Sequence, residues 1–220
     1  MRINEIYHKY KILPTLQTHQ FRVAAVGKLI AENSTQQVEI QNIVTTCLLH
    51  DIGNIIKFTF DFNPESFQPE GIEYWKGVQA EFIAKYGNDE HNATLKIATE
   101  IGVSERILDL LQNVGFSNGK EIYESGDLNK MICAYSDHRV SPTGVLSLND
   151  RIAEVTARYK KSRPEFDTPE NDAITQTWLY YFQLMENKIF KNSKLKPEDI
   201  NDSSICPLMN DFVMQKDFIL

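Results

Sequence analysis

The stretch Thr45-Thr46-Cys47-Leu48-Leu49-His50-Asp51-Ile52-Gly53-Asn54 decides how this chain is read. An apolar segment ends here in an imidazole beside a carboxylate. A buried Asp51 without a partner would be costly, so the segment calls for a hydrogen-bond donor, a cation or a metal. Neutral imidazole and carboxylate oxygen are both good ligands for divalent transition ions. The same dipeptide also fits a cap-like Asp beside a buried His. Its meaning therefore depends on what the rest of the chain brings to it.

Working outward, Ile40, Ile43, Val44, Cys47 and Leu48 recur at helical spacing and place a helix over about Gln37 to Asp51, with Gly53 as its stop. Pro14 opens another helix running to about Glu32, with Leu16, Val23, Val26 and Ile30 on one face. His19 falls on that apolar face, and Arg22 follows one turn later. An inward His is more often a satisfied core residue than a ligand; this one is compatible with both. Downstream, the apolar helix over about Asp127 to Ser136 runs into Tyr135-Ser136-Asp137-His138-Arg139-Val140-Ser141-Pro142. A carboxylate at a helix C-terminus is disfavoured by the dipole and asks for positive charge. Arg139 can supply it as an ion pair, and a bound metal is the alternative. His138 projects differently and is expected to be exposed or to lie behind the ligands.

Helical patterns also cover about Ile72 to Tyr86 and, capped by Asn88, the stretch to Ile101 before Gly102. Ser104 caps a further helix, and the Ser147 region caps one to about Lys160. Phe58 to Gly71, with Pro64 and Pro69, reads as an ordered insertion or lid loop, and Lys160 to Pro169 as a linker. Beyond it, Trp178, Tyr181, Phe182, Met185 and Ile189 make an apolar stripe. The expected architecture is all-α: a helical domain over residues 1–160 and a C-terminal helical extension over 161–220. That extension would pack on the bundle or on a second subunit, which would make the chain a homo-oligomer.

The net charge of −7 and the pI near 5.3 argue against an extended nucleic-acid surface, while leaving room for a small basic pocket. With no run of 18 apolar residues and a polar N-terminal segment, the expectation is no membrane span, no signal peptide and a cytoplasmic protein. Cys47, Cys133 and Cys206 lack C-x-x-C spacing and read as reduced core thiols.

His19 in His-x-x-Arg-Val, His50-Asp51 before Ile-Gly, and Asp137 in Asp-x-Arg-Val-x-Pro together resemble the H…HD…D pattern of the HD superfamily of metal-dependent phosphohydrolases. Gly144 to Ile152, with Arg158-Tyr159, is similar to the segment that follows the distal Asp in many members. The resemblance spans about Thr15 to Lys160. It implies an HD-domain-like helical bundle in which His19, His50, Asp51 and Asp137 hold one divalent ion. Manganese, magnesium, cobalt, nickel, zinc and iron are all candidates. It further implies hydrolysis of a small phosphorylated molecule, such as a nucleotide, as a mono- or diester by metal-activated water. Asp51 would both bind the ion and orient the nucleophile.

The chain departs from the family in places. Many members have Lys where Asn54 stands, so Lys57, one turn later, is the candidate replacement. The acid/base Glu of some nucleotidases is absent. His91 sits in a first helical turn where two-metal members often have an extra His. It is read either as part of a second metal site or as an acid or phosphate contact beside a single ion. Arg22 and Arg139 are candidate phosphate contacts, whereas Arg151 and Arg158 suit structural ion pairs. Two other readings stand beside the hydrolase: a non-catalytic nucleotide- or partner-binding module, and a two-iron oxygenase, which needs more histidines than His8 and His138 add.

Overall fold

The computed structural model describes residues 2–60, 64–163, 165 and 167–214. Helix α1, Ile3–Lys9, escapes a hydropathy reading because Asn4, Glu5 and His8 interrupt its stripe, yet Ile3, Ile6 and Tyr7 are all buried. Helix α2, Pro14–Glu32, opens with proline at its first position, where the missing N–H costs no bond. Helix α3, Ile40–Leu49, starts three residues later than its apolar pattern suggests, since Glu39 is drawn aside to donate its N–H to Asn129 Oδ1 at 2.8 Å. A 3-10 turn follows at Asn54–Lys57.

Within the 58–75 stretch a second 3-10 turn, Pro64–Phe67, leads to α4, Ile72–Tyr86; residues 61–63 lie outside those described. Helix α5, Glu90–Ile101, is capped by Asp89 rather than Asn88: the Asp89 carboxylate accepts from Asn92 N at 2.7 Å. Gly102 ends it in the left-handed conformation. Ser104 caps α6, Glu105–Gln112, and α7 covers Gly119–Ser125. Asp127 caps α8, Leu128–Asp137, which is buried over Met131 to Ser136.

A small antiparallel hairpin, β1 Val140–Ser141 and β2 Gly144–Val145, pairs Val140 with Val145 and Ser141 with Gly144. Strands this short show no period-2 pattern in the sequence. Helix α9, Leu148–Ser162, begins at the Ser147 cap and runs into the expected linker, of which Pro164 and Phe166 lie outside the described residues. Helices α10, Pro169–Lys191, and α11, Asp202–Met214, complete the fold. With eleven α-helices and one hairpin of two two-residue strands among the described residues, the protein is all-α.

Helices α2, α3 and α8 pack on one another at the centre; α10 lies across α7, α8 and α9, and α11 lies along α2. Phe182, Met185 and Ile189 of the C-terminal stripe are buried in this core. Phe182 stacks on His138 with centroids 3.8 Å apart, and burying such a ring contributes roughly 1.5–3 kcal/mol. Cys47 and Cys133 are buried thiols, whereas Cys206 is exposed, contrary to its core reading. Among the described residues, no helix is long and apolar enough to cross a membrane.

Gly53 follows the helix end for a reason other than freedom at φ. A Cβ there would stand 2.5 Å from Glu90 O and 2.8 Å from Thr94 N, both backbone atoms of α5. The turn is thus pressed onto α5, and Gly53 N donates to Thr94 Oγ1 at 3.1 Å. Gly53→Ala should force the turn and α5 apart and lower stability in urea unfolding by about 1–3 kcal/mol. An unchanged midpoint would mean that this contact is not made.

Candidate metal centre

Three helix ends meet at the mouth of the central bundle. Helix α2 brings His19, the end of α3 brings His50 and then Asp51, and α8 ends on Asp137. His19 Nε2 lies 3.2 Å from Asp137 Oδ1 and 3.7 Å from Asp51 Oδ2. His50 Nε2 lies 3.2 Å from the same Asp137 oxygen and 3.5 Å from Asp51 Oδ2. Ligands about 2.0–2.2 Å from one ion stand about 3–3.5 Å from each other, so these separations suit a shared cation. His19, His50 and Asp51 in particular each offer a donor atom within 4.8 Å of the others. His50 is enclosed, while Asp51 and Asp137 keep 23% and 20% of their side chains exposed, so the cluster opens to solvent on the carboxylate side.

The orientation of His50 is the sharpest feature. Its Nδ1 is 2.8 Å from Cys47 O, a pure acceptor, so Nδ1 carries the proton and donates. Nε2 is therefore the nitrogen presented to the carboxylates, and it is buried without a hydrogen-bond partner. A lone pair facing carboxylate oxygens needs a cation between them, either a proton or a metal. A backbone carbonyl fixing the tautomer of a ligating His is the usual arrangement behind such sites. The residues present therefore fit a divalent ion. The Tyr7 hydroxyl donates to Leu48 O at 2.7 Å, sealing a neighbouring carbonyl at the α3 C-terminus.

Electrostatics report the same strain. Burial alone would hold His50 neutral, but Asp51 and Asp137 outweigh it and raise its pKa from 6.5 to about 9. Burial pushes the Asp137 carboxyl upward, yet His50 and His19 hold it well below the usual carboxylate range.

The other singled-out residues are placed variously. Lys57 ends the 3-10 turn with its ammonium 3.4 Å from Glu90 Oε1; burial lowers its pKa, but Asp51 and then Glu90 raise it further. Asn54, at the start of that turn, is buried with Oδ1 unpartnered. Arg22 has Nε 3.8 Å from Asp202 Oδ1 of α11. His91 lies in the first turn of α5, the element against which Gly53 packs, but outside the group of converging donors.

Arg139 departs from its sequence reading, and His138 takes the buried one of its two. Arg139 is buried, and Nε donates to Leu146 O while Nη1 donates to Tyr135 Oη at 2.5 Å and Pro197 O at 3.2 Å. Nη2 donates to Pro197 O at 3.2 Å and Ile200 O at 2.9 Å. A guanidinium has five N–H donors, so these contacts use all of them. Arg139 therefore contacts no phosphate here, nor is it the ion-pair partner of Asp137; it fastens the chain between α10 and α11. His138 is fully buried rather than exposed, with Nδ1 donating to Ala134 O at 2.7 Å. Burial lowers its pKa to about 4, so it is neutral. Arg151 and Arg158 both pair with Glu154. Gln79, which no sequence pattern marks, donates from α4 to the 3-10 turn; its partner carbonyls are distant in sequence, so no local signal could reveal it.

The family model for the HD domain matches residues 16–124. The chain thus carries a domain of the HD superfamily, and the matched span includes His19, His50 and Asp51, while Asp137 lies beyond its end. No curated protein matches the chain, and neither does any solved structure.

A proton and a divalent ion compete for His50 Nε2. Metal affinity should therefore rise by up to about tenfold per pH unit as the pH climbs toward the shifted value of about 9, then level. Calorimetric titration in buffers of differing ionisation enthalpy counts the released proton; an affinity flat over that window would remove His50 from the ligand set. Without metal the stability trend is the reverse. The folded pKa lies above the unfolded one, so the contribution of protonated His50 is full below 6.5 and is lost as pH rises through about 9.

Proposed function

We propose that the protein is a metal-dependent phosphohydrolase acting on a small phosphorylated molecule, with nucleotides the first class to test. The observation that carries this is the convergence of His19, His50, Asp51 and Asp137, with His50 Nε2 buried, unprotonated in its neutral tautomer and aimed at the carboxylates. These four residues would hold the ion. A divalent ion bound there supplies Lewis-acid polarisation of a phosphoryl oxygen and a water of lowered pKa.

The chain's own groups do the rest. Cys47 O keeps the His50 proton on Nδ1, which leaves Nε2 for the ion. Asp51 and Asp137 open toward solvent, the side from which a phosphate can enter. Asp51 would accept a proton from the attacking water, in addition to its role as ligand. Lys57, whose ammonium is 3.4 Å from Glu90 Oε1, is assigned as one phosphate contact, and Arg22, one turn beyond His19, as another. His91 is assigned as an acid or phosphate contact from the first turn of α5. Membership of the HD superfamily supports this reading, since most of its members are metal-dependent hydrolases.

His19→Ala and Asp51→Ala should each lose metal and lower turnover by about a hundredfold or more, given that even outer-sphere partners of metal ligands cost about 10–100-fold. Circular dichroism should show the helical fold retained. Metal analysis and phosphate release over a panel of nucleotides, phosphomonoesters and phosphodiesters provide the readout. A metal-loaded protein inert to the whole panel would overturn catalysis in favour of a binding module.

A further inference from the structure

The backbone after Asp51 is wound more tightly than an α-helix. Asn54 N bonds to Asp51 O at 2.9 Å, Ile56 N to Gly53 O at 3.2 Å and Phe58 N to Ile55 O at 3.2 Å. Each bond joins residues three apart, and at three residues per turn such residues stand above one another. Asp51, Asn54 and Lys57 therefore form one file leading from the metal-cluster carboxylate to an ammonium. The ammonium at the end of this file lies 3.4 Å from Glu90 Oε1, and the carboxylates of Asp51 and Glu90 favour its charged form.

A short 3-10 turn has poor hydrogen-bond geometry and leaves its last carbonyls with acceptor capacity to spare. Here they are met from another helix. Gln79 Nε2, on α4, donates to Ile55 O at 2.8 Å, Ile56 O at 3.1 Å and Phe58 O at 3.0 Å. The amide has two N–H groups for three carbonyls, so one is shared. The three acceptors flank Lys57 on both sides. A single side chain thus fixes the backbone from which the ammonium projects.

We propose that Gln79 is a positioning residue that locks the Asn54–Lys57 turn so that Lys57 meets the anion bound at the metal cluster. It rests on the phosphohydrolase reading for the metal and the phosphate. It goes beyond that reading in giving α4 a role in ligand affinity without contact with the ligand.

The test uses manganese-loaded full-length protein with orthophosphate as probe, comparing Lys57→Met, Gln79→Met and the double variant by calorimetry. Manganese affinity should stay within about twofold throughout, because no ligand is altered. Each single variant should weaken orthophosphate by about five- to tenfold, and the double variant should be no weaker than Lys57→Met alone, as coupled residues are not additive. Hydrogen exchange at the Ile56 and Phe58 amides should quicken in Gln79→Met while α2 and α3 keep their protection. Gln79→Met binding orthophosphate like the parent, or adding its loss to that of Lys57→Met, overturns the positioning role alone. A parent that takes up manganese but no orthophosphate overturns that role together with the phosphohydrolase reading. Should Gln79→Met fail to fold, Gln79→Glu, which keeps the size but cannot donate when ionised, makes the same comparison.

Discussion

Two carboxylates and two imidazole nitrogens share one small opening at the end of the bundle, and every one of them seeks positive charge. Asp137 Oδ1 stands 3.2 Å from both His19 Nε2 and His50 Nε2, with Asp51 closing the group. Such a cluster is tolerable only with a proton or a metal at its centre. The surrounding structure removes other ways out. Cys47 O binds the far nitrogen of His50, so the ring cannot turn its lone pair away. The cluster is consequently a place of stored electrostatic cost, which cation binding relieves.

The helices that make the core also make this geometry. Helix α2 approaches α3 and α8 closely at Gly27, where a Cβ would lie 3.1 Å from Cys47 Sγ and 3.3 Å from Ser136 Oγ. That approach lies two turns beyond His19 on α2, beside the residues that precede His50 and Asp137 on their own helices. Close packing has little freedom to adjust, so the candidate ligands inherit the precision of the core. On the far side of the turn, Gly53 against α5 and Gln79 from α4 restrict where the chain goes after Asp51.

The residues next to Asp137 serve attachment instead. Arg139 gives its donors to Leu146, Tyr135, Pro197 and Ile200, and His138 lies flat on Phe182 of α10. The C-terminal helices are thus fixed to the bundle through side chains adjacent in sequence to a candidate ligand. Helix α11 adds Asp202 near Arg22, one turn from His19. Changes in this extension are therefore mechanically close to the cluster even where they are distant in sequence.

The all-α fold was legible in the sequence because helical periodicity, Pro14 at a helix start and the Ser104 and Ser147 caps are local signals. So was the gathering of His19, His50, Asp51 and Asp137, since each sits at a marked place on an apolar helix face or end. Local pattern failed where partners lie far along the chain. Asn88 and Asp89 are equally good caps on paper, and only the backbone course chose Asp89. Arg139 carries the charge of a phosphate contact, yet carbonyls some sixty residues later consume it. What the sequence determined by itself was the helices and the chemistry of the clustered side chains, because propensity and side-chain type are properties of neighbours. Tertiary structure alone decided which nitrogen of His50 faces the carboxylates, which cations remain for a ligand and what holds Lys57. Those depend on hydrogen bonds between elements that meet only when the chain is folded.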